Sequence, residues 1–98
     1  MVLIGTAQWG ASRGARFLDK KDPGWFTKID TRILDISDGR ACVLGQLYGY
    51  YTTGCKKLGI GFGKAMSYGF ELLLLGSVNK AWQKEIAARR RNAVLFPG

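Results

Sequence analysis

The stretch from Ala41 to Cys55 carries no charged side chain, and it constrains the fold more than any other part of the chain. It falls short of a bilayer span, which needs about 20 mostly apolar residues. Gln46, Thr52, Thr53 and the tyrosines at 48, 50 and 51 also interrupt its apolar character. Val43, Leu44, Leu47, Tyr48 and Tyr51 recur at helical spacing. The pattern predicts a central helix over residues 41–51, buried on most sides and ended by Thr52-Thr53-Gly54. A second long stretch, Leu58 to Gly76, is broken by Lys64 and Glu71, so no transmembrane helix and no membrane partner are expected.

The flanking segments supply short helices to pack around that centre. Residues 1–10 read as an extended opening segment, with Thr6 or Ser12 as a cap for the first helix. Ala11, Ala15 and Leu18 share one face of a helix predicted over 11–21, which Gly14 weakens by about 1 kcal/mol relative to alanine. Asp22-Pro23 is a helix-start pair, aspartate as N-cap and proline in the first turn, predicting a short helix over 23–29 with Trp25, Phe26 and Ile29 inward. Residues 30–39 read as a connector anchored by Ile33, Leu34 and Ile36. Residues 55–63 read as glycine-rich and irregular, and 64–75 as another helix. Ser77 caps a last helix over 78–92, in which Val78, Trp82 and Ile86 recur every four residues. Residues 93–98 read as a tail.

The expected fold is therefore mainly α: one domain over 1–98, with four or five short helices around a buried central one. The expected core is Phe17, Leu18, Trp25, Ile29, Leu34, Val43, Leu44, Leu47, Phe70, Trp82 and Ile86.

Charge narrows the functional classes. There are 15 lysines and arginines against 7 acidic residues, a net charge of +8, and no histidine. Mechanisms that need imidazole are excluded. Residues 1–49 hold 7 basic and 5 acidic residues, and residues 50–98 hold 8 and 2. The second half thus favours an acidic partner. Cys42 and Cys55 read as free thiols. The opening Met1-Val2-Leu3-Ile4 lacks the basic region and long apolar run of a secretory leader. A cytoplasmic protein is expected.

Phe17-Leu18-Asp19, Pro23-Gly24-Trp25, Ile29-Asp30, Leu34-Asp35-Ile36, Cys42-Val43-Leu44-Gly45-Gln46-Leu47-Tyr48-Gly49, Tyr68-Gly69-Phe70 and Ala81-Trp82-Gln83-Lys84-Glu85-Ile86 with the arginines after it form a series spanning most of the chain. With it, the chain resembles a group of small uncharacterised proteins of actinobacteria and their phages. The resemblance implies no activity. It implies an accessory protein that engages a host component.

Catalytic signatures fail on inspection. Gly59-Ile60-Gly61-Phe62-Gly63-Lys64 suggests a phosphate loop, but Leu58 stands where the first glycine is needed and Ala65 where Ser or Thr is needed. The dinucleotide fingerprint fails because Lys64 takes the place of its third glycine. Cys42 at a helix start has no histidine to act as base. Asp35 and Asp38 fall in a turn-rich segment, where aspartate serves the backbone. No catalytic residue, metal ligand or cofactor is assigned. The glycine pairs 10/14, 45/49 and 59/63 suit close helix packing, and they also admit a homodimer.

The partner signals are Lys80, Lys84, Arg89, Arg90 and Arg91 on the last helix, and Tyr50 and Tyr51 on the central one. The cations suit phosphates, with a solvated face and helix-dipole complement as the ordinary alternative. Three tyrosines in four positions cannot all face one core, so at least one should reach the surface. The expected function is non-enzymatic: macromolecular binding, as by a phage accessory protein on a host protein. Nucleic-acid binding through the basic C-terminal helix is the alternative.

Overall fold

The Thr6 hydroxyl accepts a hydrogen bond from the Trp9 amide at 3.0 Å, which sets the start of helix α1, Ala7–Lys21. The structure, a computed structural model, describes residues 6–70 and 77–95. The helix thus begins four residues before Ala11, and residues 7–10 are helical rather than extended; residues 1–5 of the predicted opening segment lie outside the described residues. Its buried face is Ala7, Gly10, Ala11, Gly14, Ala15 and Leu18. Five of these six are alanine or glycine, so neighbouring elements approach the helix axis closely.

Asp22 ends α1 instead of starting the next helix. Its backbone N–H donates to the Leu18 carbonyl at 2.8 Å. The chain then forms a single 3-10 turn, Trp25–Lys28, with no side-chain cap. The Asp22 carboxylate is used elsewhere, accepting from the Tyr48 hydroxyl at 3.0 Å. Burial and this carboxylate together push the Tyr48 phenol up to about 12. The sign is that of a folded pKa raised above the ordinary phenol value: the stability this pair contributes is present below pH 10 and lost as pH rises through the folded value. In an ultraviolet titration of the folded protein, the Tyr48 phenol should ionise late. Tyr48→Phe should remove that late step; a late region of the titration left unaltered by the substitution would refute it.

The connector is held by its own aspartates. Asp30, Asp35 and Asp38 each accept the backbone N–H two residues on, from Arg32, Ser37 and Arg40. Gln46 fastens it: its Oε1 accepts the Asp30 N–H at 2.6 Å, and its Nε2 donates to the Asp30 and Ala41 carbonyls. Leu34 and Ile36 are buried anchors, whereas Ile33 is exposed.

The predicted central helix is two helices. Helix α2, Val43–Tyr48, stops at Gly49, whose φ of 97° only glycine adopts without strain. Helix α3, Tyr51–Leu58, then contains the Thr52-Thr53-Gly54 expected to end the first. Gly54 lets the two pack tightly: a Cβ there would lie 2.9 Å from Cβ of Leu44. Gly59, left-handed at φ 70°, closes α3 with its N–H on the Cys55 and Lys56 carbonyls.

Helix α4, Phe62–Ser67, is shorter than the helix predicted over 64–75, and residues 71–75 lie outside the described ones. Helix α5, Val78–Leu95, starts where Ser77 predicts, with the Ser77 hydroxyl accepting the Lys80 N–H at 3.2 Å. It runs into the predicted tail, because nothing in Ala93-Val94 opposes a helix. Residues 96–98 lie outside the described ones.

Helices α1 and α5 form the main layer, and α2 with α3 form a second pair. Between them lie the fully buried Trp25, Trp82, Phe70, Leu18, Leu44 and Ile86. Of the expected core, Phe17 and Leu47 are only half-buried, packed on its edge; the other nine are inside. The fold is mainly helical, as expected.

Candidate nucleic-acid interface

The three consecutive arginines of α5 point three ways, since adjacent helical residues are about 100° apart. Arg89 turns inward onto α1. Its guanidinium pairs with the Asp19 carboxylate at 2.9 Å and with Glu85, four residues back, at 2.8 Å. Asp19 also accepts the Trp25 indole N–H at 2.9 Å. Partial burial works to raise the Asp19 pKa, but the hydrogen bonds from Arg89 and Trp25 outweigh it and hold the carboxyl below its ordinary value. The hydrogen bond to Asp19 likewise raises the Arg89 guanidinium against the opposing effect of burial. Arg90 turns to the other side and donates to the Phe26 carbonyl at 3.1 Å and to the Ile29 carbonyl, closing the end of the 3-10 turn. Both side chains are therefore engaged within the fold. Only Arg91 is exposed.

Lys80, Lys84 and Arg91 do share a face. With Ala87 they occupy positions i, i+4, i+7 and i+11, and all four are exposed. Among the described residues, none of the three cations makes an ion pair. Two shallow depressions flank them, one bordered by Gln8, Lys84, Ala88 and Arg91, the other by Thr6, Ser77 and Lys80. The one nearby carboxylate, Glu85, is occupied by Arg89 and by the Gln8 amide, which donates to it at 2.5 Å.

Tyr50 and Tyr51 separate. Tyr50 precedes α3 and is 47% exposed, while Tyr51 packs its ring against the core. Tyr50, just before α3, and Tyr51, its first residue, thus lie on a different element from the α5 cations.

Sequence reasoning missed a second basic face. On α1, Trp9, Arg13, Arg16 and Lys20 also stand at i, i+4, i+7 and i+11. None of these three cations is ion-paired among the described residues either. The signal was Thr6 as N-cap; once the helix starts there, Trp9 joins the arginines on one stripe.

The other candidates are accounted for structurally. Neither Cys42 nor Cys55 forms a disulfide among the described residues. Cys42 caps α2, its Sγ accepting the Gly45 N–H at 3.3 Å. Burial pushes its thiol up, more than that hydrogen bond lowers it, so the thiolate a nucleophile needs is disfavoured. Among the described residues, no cluster of three or more Cys, Asp or Glu is placed to hold a metal ion. No described helix is long and apolar enough to cross a membrane. Compared with protein-family models, curated proteins and solved structures, the chain matches none.

Proposed function

We propose that the protein is a non-enzymatic nucleic-acid-binding protein that engages phosphates through the outer face of α5. The observation that carries this reading is the sorting of the basic residues on that helix. Arg89 and Arg90 are consumed by carboxylates and carbonyls of the fold, whereas Lys80, Lys84 and Arg91 are exposed, aligned and, among the described residues, without ion pairs. Lys80 and Lys84 are about one turn apart, about 6 Å, and Lys84 and Arg91 about two turns, about 10.5 Å, comparable to one and two phosphate separations along a strand. Contacts of this kind are sequence-independent and release counterions.

The test is fluorescence anisotropy with a random-sequence duplex across a salt series. Binding in the micromolar range should weaken steeply between about 50 and 200 mM salt. Replacing Lys80, Lys84 and Arg91 with alanine should weaken binding and lower the salt slope by roughly one unit per cation removed. Arg90→Ala should instead appear in the melting curve, since it frees two carbonyls. An unchanged slope in the triple variant would refute the assignment of the face.

A protein partner is the second reading, favoured by the exposed Tyr50 ring where α2 turns into α3. It accords with the resemblance to phage proteins that would engage a host component. Tyr50→Ala would then abolish capture of that partner and leave the salt slope on nucleic acid untouched. Either reading goes with a cytoplasmic site of action.

A further inference from the structure

The exposed tryptophan on α1 sits at the end of a ladder of flat groups. The Arg13 guanidinium lies over the Trp9 ring, 4.8 Å from its centroid, and is 5.6 Å from the Tyr68 ring. Tyr68 stacks on Phe17 at 4.7 Å with the planes 23° apart. Trp9 is 44% exposed, whereas Trp25 and Trp82 are fully buried. Between Tyr68 and the helix is a cleft of about 260 Å³ lined by Arg13, Arg16, Phe17, Lys20 and Tyr68. Three of its five lining residues are cations and none is acidic. Among the described residues, Arg16 is held only by Ser12, at 3.5 Å, and the buried Nε of Arg13 has no acceptor.

We propose that this outer face of α1 is a binding site for single-stranded nucleic acid, in which Trp9 stacks a base and Arg13, Arg16 and Lys20 hold the neighbouring phosphates. The inference rests on the reading of the chain as a nucleic-acid binder, but it concerns a different helix and a different chemistry. A duplex offers phosphates to the α5 face while its bases stay stacked on one another. An unpaired strand offers base faces as well, and an exposed aromatic ring beside unpaired cations is the surface that captures them. The Arg13 guanidinium lies against one face of the Trp9 ring and favours that ring position before binding. The fold places this aromatic ladder and the cationic cleft side by side, which a face serving solubility alone does not require.

The burial of two of the 3 tryptophans gives a clean readout. Acrylamide quenching of the intact protein should report Trp9 alone. An oligothymidylate of about 12 nucleotides should shield it from the quencher, and a duplex of equal length should shield it much less. Trp9→Ala should weaken oligothymidylate binding roughly 10-fold and leave duplex binding within a factor of about two. Trp9→Phe, which keeps a ring, should recover most of the loss. Oligothymidylate binding with Trp9 still fully quenchable, or a Trp9→Ala variant that loses duplex and single strand equally, would overturn the α1 site while leaving the α5 reading in place. Failure to bind either nucleic acid would overturn both. The α5 triple-alanine variant separates them further: loss of duplex binding with the Trp9 response retained supports two surfaces.

Discussion

Trp82→Ala should cost about 3–5 kcal/mol, a large part of the about 5–15 kcal/mol that holds a domain of this size together. Three losses combine. The ring stacks on Phe70 at 5.4 Å and meets the edge of Trp25 at 5.7 Å, so its removal opens a cavity between two fully buried aromatics. Its indole N–H donates to the Gly69 carbonyl at 2.6 Å, and that acceptor would lose the donor it has among the described residues, a cost of about 1–3 kcal/mol within the total. The ring also covers Gly14 on α1, so α1 and α5 lose their common wall. Chemical denaturation monitored by far-ultraviolet circular dichroism checks this through the shift in midpoint. Trp82→Phe should fall between the variant and the parent, because it keeps most of the stacking and loses the hydrogen bond. A midpoint for Trp82→Ala equivalent to less than about 1 kcal/mol of destabilisation would mean that the two layers are not held together at this point.

The residues that dominate this prediction are those the sequence reveals most readily. Val78, Trp82 and Ile86 recur every four residues behind a serine cap, and all three are buried on α5 as that spacing requires. Val43 and Leu44 lie in the core by the same helical spacing, and Leu34 lies there as an apolar anchor of the connector. Boundaries are less legible, because they depend on which of two competing signals wins. The run 41–51 is helical by apolar spacing, yet Gly49 adopts a positive φ and splits it, and the glycine pattern alone does not distinguish a close-packed helical glycine from a break. Asp22-Pro23 has the composition of a helix start, but the Asp22 side chain is drawn off by Tyr48, 26 residues away in sequence. Neither outcome is encoded locally.

The candidate surfaces divide in the same way. Lys80, Lys84 and Arg91 emerge as one exposed stripe from helical spacing alone. The Glu85–Arg89 pair is legible in the i, i+4 spacing, but that Arg89 also reaches Asp19 and that Arg90 reaches Phe26 and Ile29 is invisible in sequence, since those partners come from the far end of the chain. The α1 stripe was hidden by a start misplaced by four residues: with 1–10 taken as extended, Trp9 is not in phase with Arg13. The sequence also contains Tyr68 with no sign that it would lie against Phe17 and Arg13.

The same substitution, glycine to alanine, should have opposite effects at two positions. Gly14→Ala should destabilise by about 3 kcal/mol or more, the upper end for forcing a methyl group into a filled space. A Cβ there would overlap the Tyr68 carbonyl oxygen and stand 2.9 Å from Cζ2 of Trp82. Neither obstacle can yield cheaply. The first is backbone, fixed where Tyr68 closes α4, and the second is a ring clamped between Phe70 and Trp25. The gain of about 1 kcal/mol in helix propensity is already outweighed. Gly63, near the start of α4, has no atom of the described residues within 4 Å of the corresponding position, and its φ is not positive. There the propensity gain stands alone, and Gly63→Ala should stabilise by about 0.5–1 kcal/mol. For a domain of this length each kcal/mol moves the melting temperature by roughly 4–8 °C, so the two variants should melt on opposite sides of the parent. Equal melting temperatures for both would mean that α1 does not lie against Tyr68 and Trp82, and the cleft proposed to hold a single strand would lose its far wall.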